Sequence, residues 1–446
     1  MKKCNAAILI GLAINCLGTD SAFAISPIDA YKAALQNDPN FRVAKAERDS
    51  GKQFEVIGRS TLLPQAQYSF SKTKNLGEMV SPDFSGKLKL SDLEYPSSNK
   101  NITVRQPLFN LDSYARFEQG RAQTKYSDAQ FDARSLDLMV RLMAAYVEVK
   151  FAEDQVRLYA AQRDAYAEQM RLNSRTFEKG EGTKTDMLET QSKLDVADAM
   201  LLEAQDNLLN ARNTLSSIVG SDVGQLDSMK QNISFKGLVD GDFASWQKLM
   251  EQNNPELKAA QLAVEIAEKE IAKARAGHAP RIDLNASYNH GRSETVNTQK
   301  QDINMRSVAV QLVIPIYSGG YVSAVSRQSV AQKEKAIAEL DNVRNKLTVE
   351  LRKNFNAIHT GEVKLMAMQN SVKSAEALVE ATSQSIKAGV RINLDYLNAQ
   401  QQLVVAKKDL AQTEYNLLLS YLKLKVGAGV ASFEDMQTVS CFFVNN

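Results

Sequence analysis

Apolar residues recur along this chain with two different periods. In two short stretches the period is two. Ala66, Tyr68 and Phe70 alternate with Gln65, Gln67, Ser69 and Ser71, while Ile282, Leu284, Ala286 and Tyr288 alternate with Arg281, Asp283, Asn285, Ser287 and Asn289. Such alternation predicts strands with one apolar and one polar face. Ile102 and Val104, and then Val308, Val310, Leu312 and Ile314, supply a second strand to each. The strands are expected at about 64–74, about 100–109, about 280–290 and about 305–317. Each has about ten residues, a length that crosses a bilayer when tilted. The stretches between paired strands, about 74–100 and about 290–304, are polar and read as surface loops.

Elsewhere the period is helical. From about Asp112 to about Glu178 the chain has no proline and one glycine, Gly120; from about Tyr321 to Lys387 its one glycine is Gly361. A helix of roughly 65 residues is roughly 100 Å long, more than a globular domain needs. After each such segment comes a heptad. Leu194, Leu201, Leu208 and Leu215 recur every seven residues, with Ala197, Ala204, Ala211 and Ile218 at the other seam position; Leu403, Leu410, Leu417 and Leu424 repeat the spacing. Leucine beside a small residue suits closely packed coiled-coil helices.

The two halves follow one plan. Asn37-Asp38-Pro39 matches Asn253-Asn254-Pro255, Leu63-Pro64 matches Ala279-Pro280, and Gln106-Pro107-Leu108-Phe109 resembles Ile314-Pro315-Ile316-Tyr317. Gly180 and Asp186 match Gly389 and Asp395. The chain therefore divides into a first repeat, 25–235, and a second, 236–446. Ahead of them, residues 1–24 read as a signal peptide: Lys2 and Lys3, an apolar run from Ala6 to Leu17, then Ala22-Phe23-Ala24 as the cleavage site.

Composition narrows the function classes. The 446 residues carry a net charge of +2, and no basic face suggests nucleic acid. Removal of the signal leaves Cys441 as the single cysteine, which excludes a disulfide framework. His278, His290 and His359 match no metal spacing, and no nucleophile or carboxylate pair has a catalytic context. The reading is of a protein that is not an enzyme and has no cofactor. No segment after residue 24 is apolar for the ~18 residues of a membrane helix. Four alternating strands are too few to close a membrane barrel, and open edges in lipid leave backbone groups unpaired, so if the strands sit in a membrane, several chains must share one barrel. Tyr68, Tyr288 and Tyr317 are candidates for an aromatic belt. The tail from about Ser432 has no assigned role and reads as a poorly ordered or equatorial segment.

In this order, the tandem motifs resemble the TolC family of outer-membrane channel-tunnels. Besides those above they include Arg105-Gln106-Pro107-Leu108, Gly277-His278-Ala279-Pro280 and Pro315-Ile316-Tyr317-Ser318-Gly319-Gly320. The run Gly180-Glu181-Gly182-Thr183-Lys184-Thr185-Asp186-Met187-Leu188-Glu189-Thr190 looks like the helical turn of the type I secretion branch, which exports proteases and haem-binding proteins, and Ala165-Tyr166-Ala167-Glu168-Gln169 fits that branch too. The resemblance implies a mainly α fold with a small β part, a homotrimer with a twelve-stranded barrel, and a periplasmic α-helical tunnel. It implies an exit channel in the outer membrane that passively conducts unfolded proteins. The implied partners are a periplasmic adaptor, an inner-membrane ABC transporter and outer-membrane lipid. By position, Thr185 and Asp186 on one hairpin and Arg391 on the other match the links that hold the periplasmic gate shut. Ile386 stands where the family often has a tyrosine and cannot donate that link. Asp395 matches one ring of the entrance constriction, and Asn398 stands where a second aspartate often is. The alternatives are the outer-membrane component of a small-molecule efflux pump, served by an RND-type pump, and a periplasmic coiled-coil adaptor or scaffold.

Overall fold

The computed structural model describes residues 25–230, 241–293 and 300–444. The signal peptide at 1–24 and the boundary between the repeats near 235 lie outside the described residues. Three short helices open the chain: α1 (Pro27–Asn37), α2 (Pro39–Gly51) and α3 (Gln53–Ser60). Strands β1 (Gln65–Pro82) and β2 (Leu88–Asn110) lead into the long α4 (Leu111–Glu178) and its partner α5 (Lys184–Val219). A short strand, β3 (Ser228–Met229), follows. The series then recurs as α6 (Phe243–Asn253), α7 (Pro255–Arg275), β4 (Arg281–Ser293), β5 (Gln301–Val313), α8 (Tyr321–Lys387) and α9 (Asn393–Gly427). The chain closes with α10 (Phe433–Ser440) and β6 (Phe443–Val444). Among the described residues no helix is long and apolar enough to cross a membrane.

The two Asn/Asp-Pro motifs do the same local work. Proline opens each helix with a pre-set backbone, and the residue before it caps. Asp38 accepts from the Phe41 amide at 2.7 Å, and Asn254 from the Leu257 amide at 2.9 Å. A side-chain amide then reaches the open end of a long hairpin, away from its turn: Asn37 donates to the Val219 carbonyl and Asn254 to that of Gly427, both at 2.9 Å. Each repeat thus ties its short helices to the end of its own coiled-coil hairpin.

The heptads form the hairpin seams. Ala197, Ala204, Ala211 and Ile218 are buried with Leu201 and Leu215, and Leu417 and Leu424 are buried in the second hairpin. The two glycines of the long helices mark close approaches. A Cβ on Gly120 would lie 2.4 Å from the Phe54 carbonyl oxygen, and one on Gly361 would lie 2.2 Å from Leu417 Cδ1. The main core sits where the hairpins meet the chain ends, around Leu142, Met143, Leu215, Leu351, Leu418 and Leu422. Burying each such side chain contributes about 1.5–3 kcal/mol.

Two expectations need correction, and for the tail one of its two readings drops out. The stretch at about 74–100 is not a loop. β1 and β2 continue as one antiparallel ribbon from Gln65↔Arg105 to Pro82↔Leu88. Ladder hydrogen bonds, a Lys74–Glu94 ion pair at 2.5 Å and a tight turn stabilise it despite its polar composition. In that turn Asp83 accepts from the Ser85 and Lys87 amides and Gly86 takes φ 80°. At the other end, β5 stops at Val313 instead of running to about 317, because Pro315 has no amide for a ladder. The tail, finally, is folded. β6 pairs with β3, and the Phe443 ring meets Tyr146 edge-on at 5.3 Å.

Candidate functional site

The four long strands form one antiparallel sheet in the order β1-β2-β4-β5. Its register aligns residues in rows across all four. One row is Ala66, Val104, Ala286 and Val308; the next on the same face is Tyr68, Ile102, Tyr288 and Arg306. Below them Leu284 pairs with Val310, and Ile282 with Leu312. The opposite face alternates with these rows. It reads Gln67, Thr103, Ser287 and Ser307, then Ser69, Asn101, Asn289 and Met305. On it the Ser287 and Ser307 hydroxyls lie 2.7 Å apart, and at its helical end Arg105 pairs with the buried Asp283 at 2.8 Å. One face is therefore apolar with tyrosines at its upper margin, and the other presents hydroxyls and amides. Tyr317, the third tyrosine singled out, lies at the helical end and is exposed.

The other place of interest is the far end of the hairpins. Gly180 (φ 77°) and Gly389 (φ 76°) supply the left-handed backbone of the two turns. Thr185 and Asp186 lie in the first turn of α5, where Thr183 caps. The Asp186 amide donates to Thr183 Oγ1 at 3.0 Å, and that hydroxyl donates back to the Asp186 carboxylate at 2.7 Å. Arg391 is exposed in the α8–α9 turn and has no hydrogen bond or ion pair among the described residues. Asp395 lies in the first turn of α9, and Asn398 is exposed one turn later. Within one chain, then, the structure brings Arg391 to neither Thr185 nor Asp186.

What joins the two tips is a different set of residues. Thr190, fully buried, accepts from Asn173 Nδ2 at 2.8 Å and from Asn393 Nδ2 at 2.9 Å, and donates to the Asp186 carbonyl at 2.8 Å. One turn further in, the buried Tyr166 hydroxyl donates to the Leu397 carbonyl at 3.1 Å. Lys193 and Gln401 bond at 2.8 Å. Thr190 ends the run singled out at this turn, where it carried no role of its own, and nothing in the amino-acid pattern marked Asn173 or Asn393; each is one polar residue on a long helix.

A sequence profile described as outer membrane efflux protein matches residues 30–221 and 246–430. The chain belongs to the outer membrane efflux protein family. It is 36% identical to the alkaline protease secretion protein AprF of Pseudomonas aeruginosa, over 96% of this chain and 89% of that protein. To the proteases secretion protein PrtF of Dickeya chrysanthemi it is 35% identical, over 98% of this chain and 95% of that one. Among solved structures, the Campylobacter jejuni CmeC outer membrane channel superposes with a TM-score of 0.79 at 14% identity, covering 100% of this chain and 98% of that chain. The family is the one the tandem motifs resembled, and the chain is an outer-membrane protein of the TolC channel type.

In this efflux-family channel a second polar cluster lies midway along the helices, between α4 and α9. The Tyr415 hydroxyl donates to Asp154 at 2.8 Å, and Arg157 pairs with the same carboxylate. Burial raises Asp154 above the usual carboxylate range. Burial, and then the charge of Asp154, push Glu414 up to about 7. Sequence reasoning missed this cluster as well, because its members are 261 positions apart.

Proposed function

We propose that the protein is the exit channel of a type I secretion system, conducting unfolded proteins passively out of the cell. The observation that carries the reading is the two-faced sheet. A tilted sheet with one apolar face and one face of serine, threonine and asparagine suits a barrel wall between lipid and water. Its outer strands, β1 and β5, each have one edge unpaired, and such edges cannot stand open in lipid. Three chains would close twelve strands into one barrel, in keeping with the trimeric working state of TolC-type channels. Four long helices per chain would continue the wall into the periplasm, toward an adaptor and an inner-membrane ABC transporter. Similarity to two protease secretion proteins over nearly the whole chain favours protein cargo.

The tips would form the gate. Arg391 has no partner among the described residues of its own chain, and Asp186 and Thr185 lie on the other hairpin, so the closing link would run between neighbouring chains. Asp395 would form the ring of carboxylates at the entrance. With Asn398 in place of a second acid, that ring would favour cations weakly and bind trivalent cations weakly. The test is a pair of phenotypes in the native cell lacking this gene. Loss of one or a few large proteins without signal peptides from the medium, at unchanged susceptibility to dyes and detergents, is the expected result. Hypersensitivity with an intact set of secreted proteins would overturn the secretion reading in favour of small-molecule efflux.

A further inference from the structure

The upper rows of the apolar face carry charge for which conduction has no use. Directly above the Tyr68 and Tyr288 row, the register places Phe70, Lys100, His290 and Asn304 side by side, then Lys72, Ser98, Arg292 and Asp302. Arg306 sits in the tyrosine row, its guanidinium 5.9 Å from the Tyr288 ring centroid. At the same levels the polar face holds no charged residue: Ser69, Asn101, Asn289 and Met305, then Ser71, Asn99, Gly291 and Ile303. Cations placed only for solubility at a barrel rim would occur on both faces. These are confined to the face that meets lipid.

The two acids nearest these cations are both engaged, and Glu78 faces Asp92 in the row beyond Glu94. Asp302 holds His290 and Arg292, each at 2.8 Å, and Glu94 holds Lys74. Lys72, Lys100 and Arg306 are exposed and have no ion pair among the described residues. Lys72 on β1 and Lys100 on β2 are diagonal neighbours, and such pairs are about 7–8 Å apart, within reach of one phosphate between two long side chains. Arg306, on β5, lies one row below Lys100 with β4 between them. The height also fits. Five rows, from Ile282 to His290, span about 26 Å along the strand and about 20 Å across a tilted wall, close to one apolar membrane core. The helices leave from the opposite end of the sheet, so the belt lies at the outer leaflet.

We propose that this belt, centred on Lys72, Lys100 and Arg306, binds the phosphate groups of anionic glycolipid in the outer leaflet. The inference rests on the barrel reading above, in which the apolar face meets lipid. Lipid tails would lie over Val308 and Ile102, and the tyrosines would meet the boundary between tail and headgroup. Arginine and lysine would then form charge-assisted bonds to phosphate oxygens.

The experiment uses the full chain, purified in detergent containing a bis-phosphorylated, hexa-acylated glycolipid or the same glycolipid stripped of phosphate. Lipid retained per chain is measured by mass spectrometry. Wild type should retain the phosphorylated probe and not the stripped one. The triple variant Lys72→Gln/Lys100→Gln/Arg306→Gln should lose about fivefold per cation, about a hundredfold in all. Lys87→Gln/Lys89→Gln, at the ribbon tip and off the belt, should match wild type. Equal retention in the triple variant, or equal retention of the stripped probe, overturns the proposal. The three single variants, each expected to lose about fivefold, serve if the triple does not assemble. A label at Val308→Cys in a Cys441→Ser background separates the two readings. If a lipid-confined quencher does not reach it, the barrel reading falls and this proposal with it. If the quencher reaches it while glycolipid retention is unaltered by the triple variant, this proposal alone falls.

Discussion

Asn393 on the second hairpin donates its side-chain amide to the Thr190 hydroxyl of the first at 2.9 Å, and Asn173 donates to the same oxygen at 2.8 Å. The hydroxyl uses its own proton on the Asp186 carbonyl. Every bond it can make is made, out of contact with water. Thr190→Val keeps the shape and removes the acceptor, leaving the Asn393 amide unpaired and Asn173 with only its longer bond to the Asp186 carbonyl, at 3.4 Å, at a cost of about 2 kcal/mol. We expect faster hydrogen exchange over residues 386–398 in Thr190→Val and wild-type protection in Thr190→Ser. Unchanged exchange in the valine variant would mean that packing alone joins the tips.

A second prediction concerns Arg391, a cation at the tip with no partner among the described residues of its own chain. A charge-assisted bond contributes about 1.5–3 kcal/mol, so its loss should shift the closed–open balance by at least about tenfold per chain. Arg391→Ala should therefore raise single-channel conductance in a lipid bilayer. The charge swap Arg391→Asp/Asp186→Arg should lower it again relative to Arg391→Asp alone. Conductance unaltered by Arg391→Ala removes this residue from the gate.

Whether a feature was legible in the amino-acid order depended on the range over which it is encoded. The extents of α4 and α8 and the alanine-leucine seams were readable because period and the absence of proline are local properties. The strand faces were readable for the same reason around Tyr68 and Tyr288. The upper ribbon was not. Its residues include Lys74, Asn75, Glu78 and Ser81, and its order comes from cross-strand pairing, which no single strand shows. The Thr190 clasp escaped because Asn173 and Asn393 stand 17 and 203 positions away from it and look like ordinary helix-surface residues.

Glu414 gives a prediction about pH. Burial and the charge of Asp154 raise its folded pKa to about 7 from 4.5, so the folded state holds a proton that the unfolded state has released. Stability from this group is full below about pH 4.5 and is lost as pH rises toward 7. Its side chain is half-buried, and solvent screening reduces the effect to about 1 kcal/mol. Glu414→Gln should match wild type in thermal unfolding near pH 4.5 and melt higher than wild type near pH 8. A constant difference between the two pH values would show that the carboxyl titrates normally.

The opposite sign applies to Asp38, 1% exposed at the start of α2. Burial alone would raise its pKa, but Arg141 and the Phe41 amide outweigh burial and hold the carboxyl below its ordinary value. Arg141 does so with two bonds, of 3.1 and 2.8 Å. This contribution is present above the unfolded pKa and disappears as pH falls through the folded one, so it is an acid-side term. Arg141→Leu would strand a buried carboxylate and should cost about 3–5 kcal/mol at neutral pH. The second repeat shows the remedy. At the matching position Asn254 caps α7 without a charge, accepting from Leu257 and donating to Gly427. Asp38→Asn/Arg141→Leu should therefore recover most of the loss at neutral pH, measured by denaturant unfolding. It should also lack the part of the acid destabilisation that wild type owes to Asp38. A double variant no more stable than Arg141→Leu alone would show that the arginine acts through packing and not through this carboxylate.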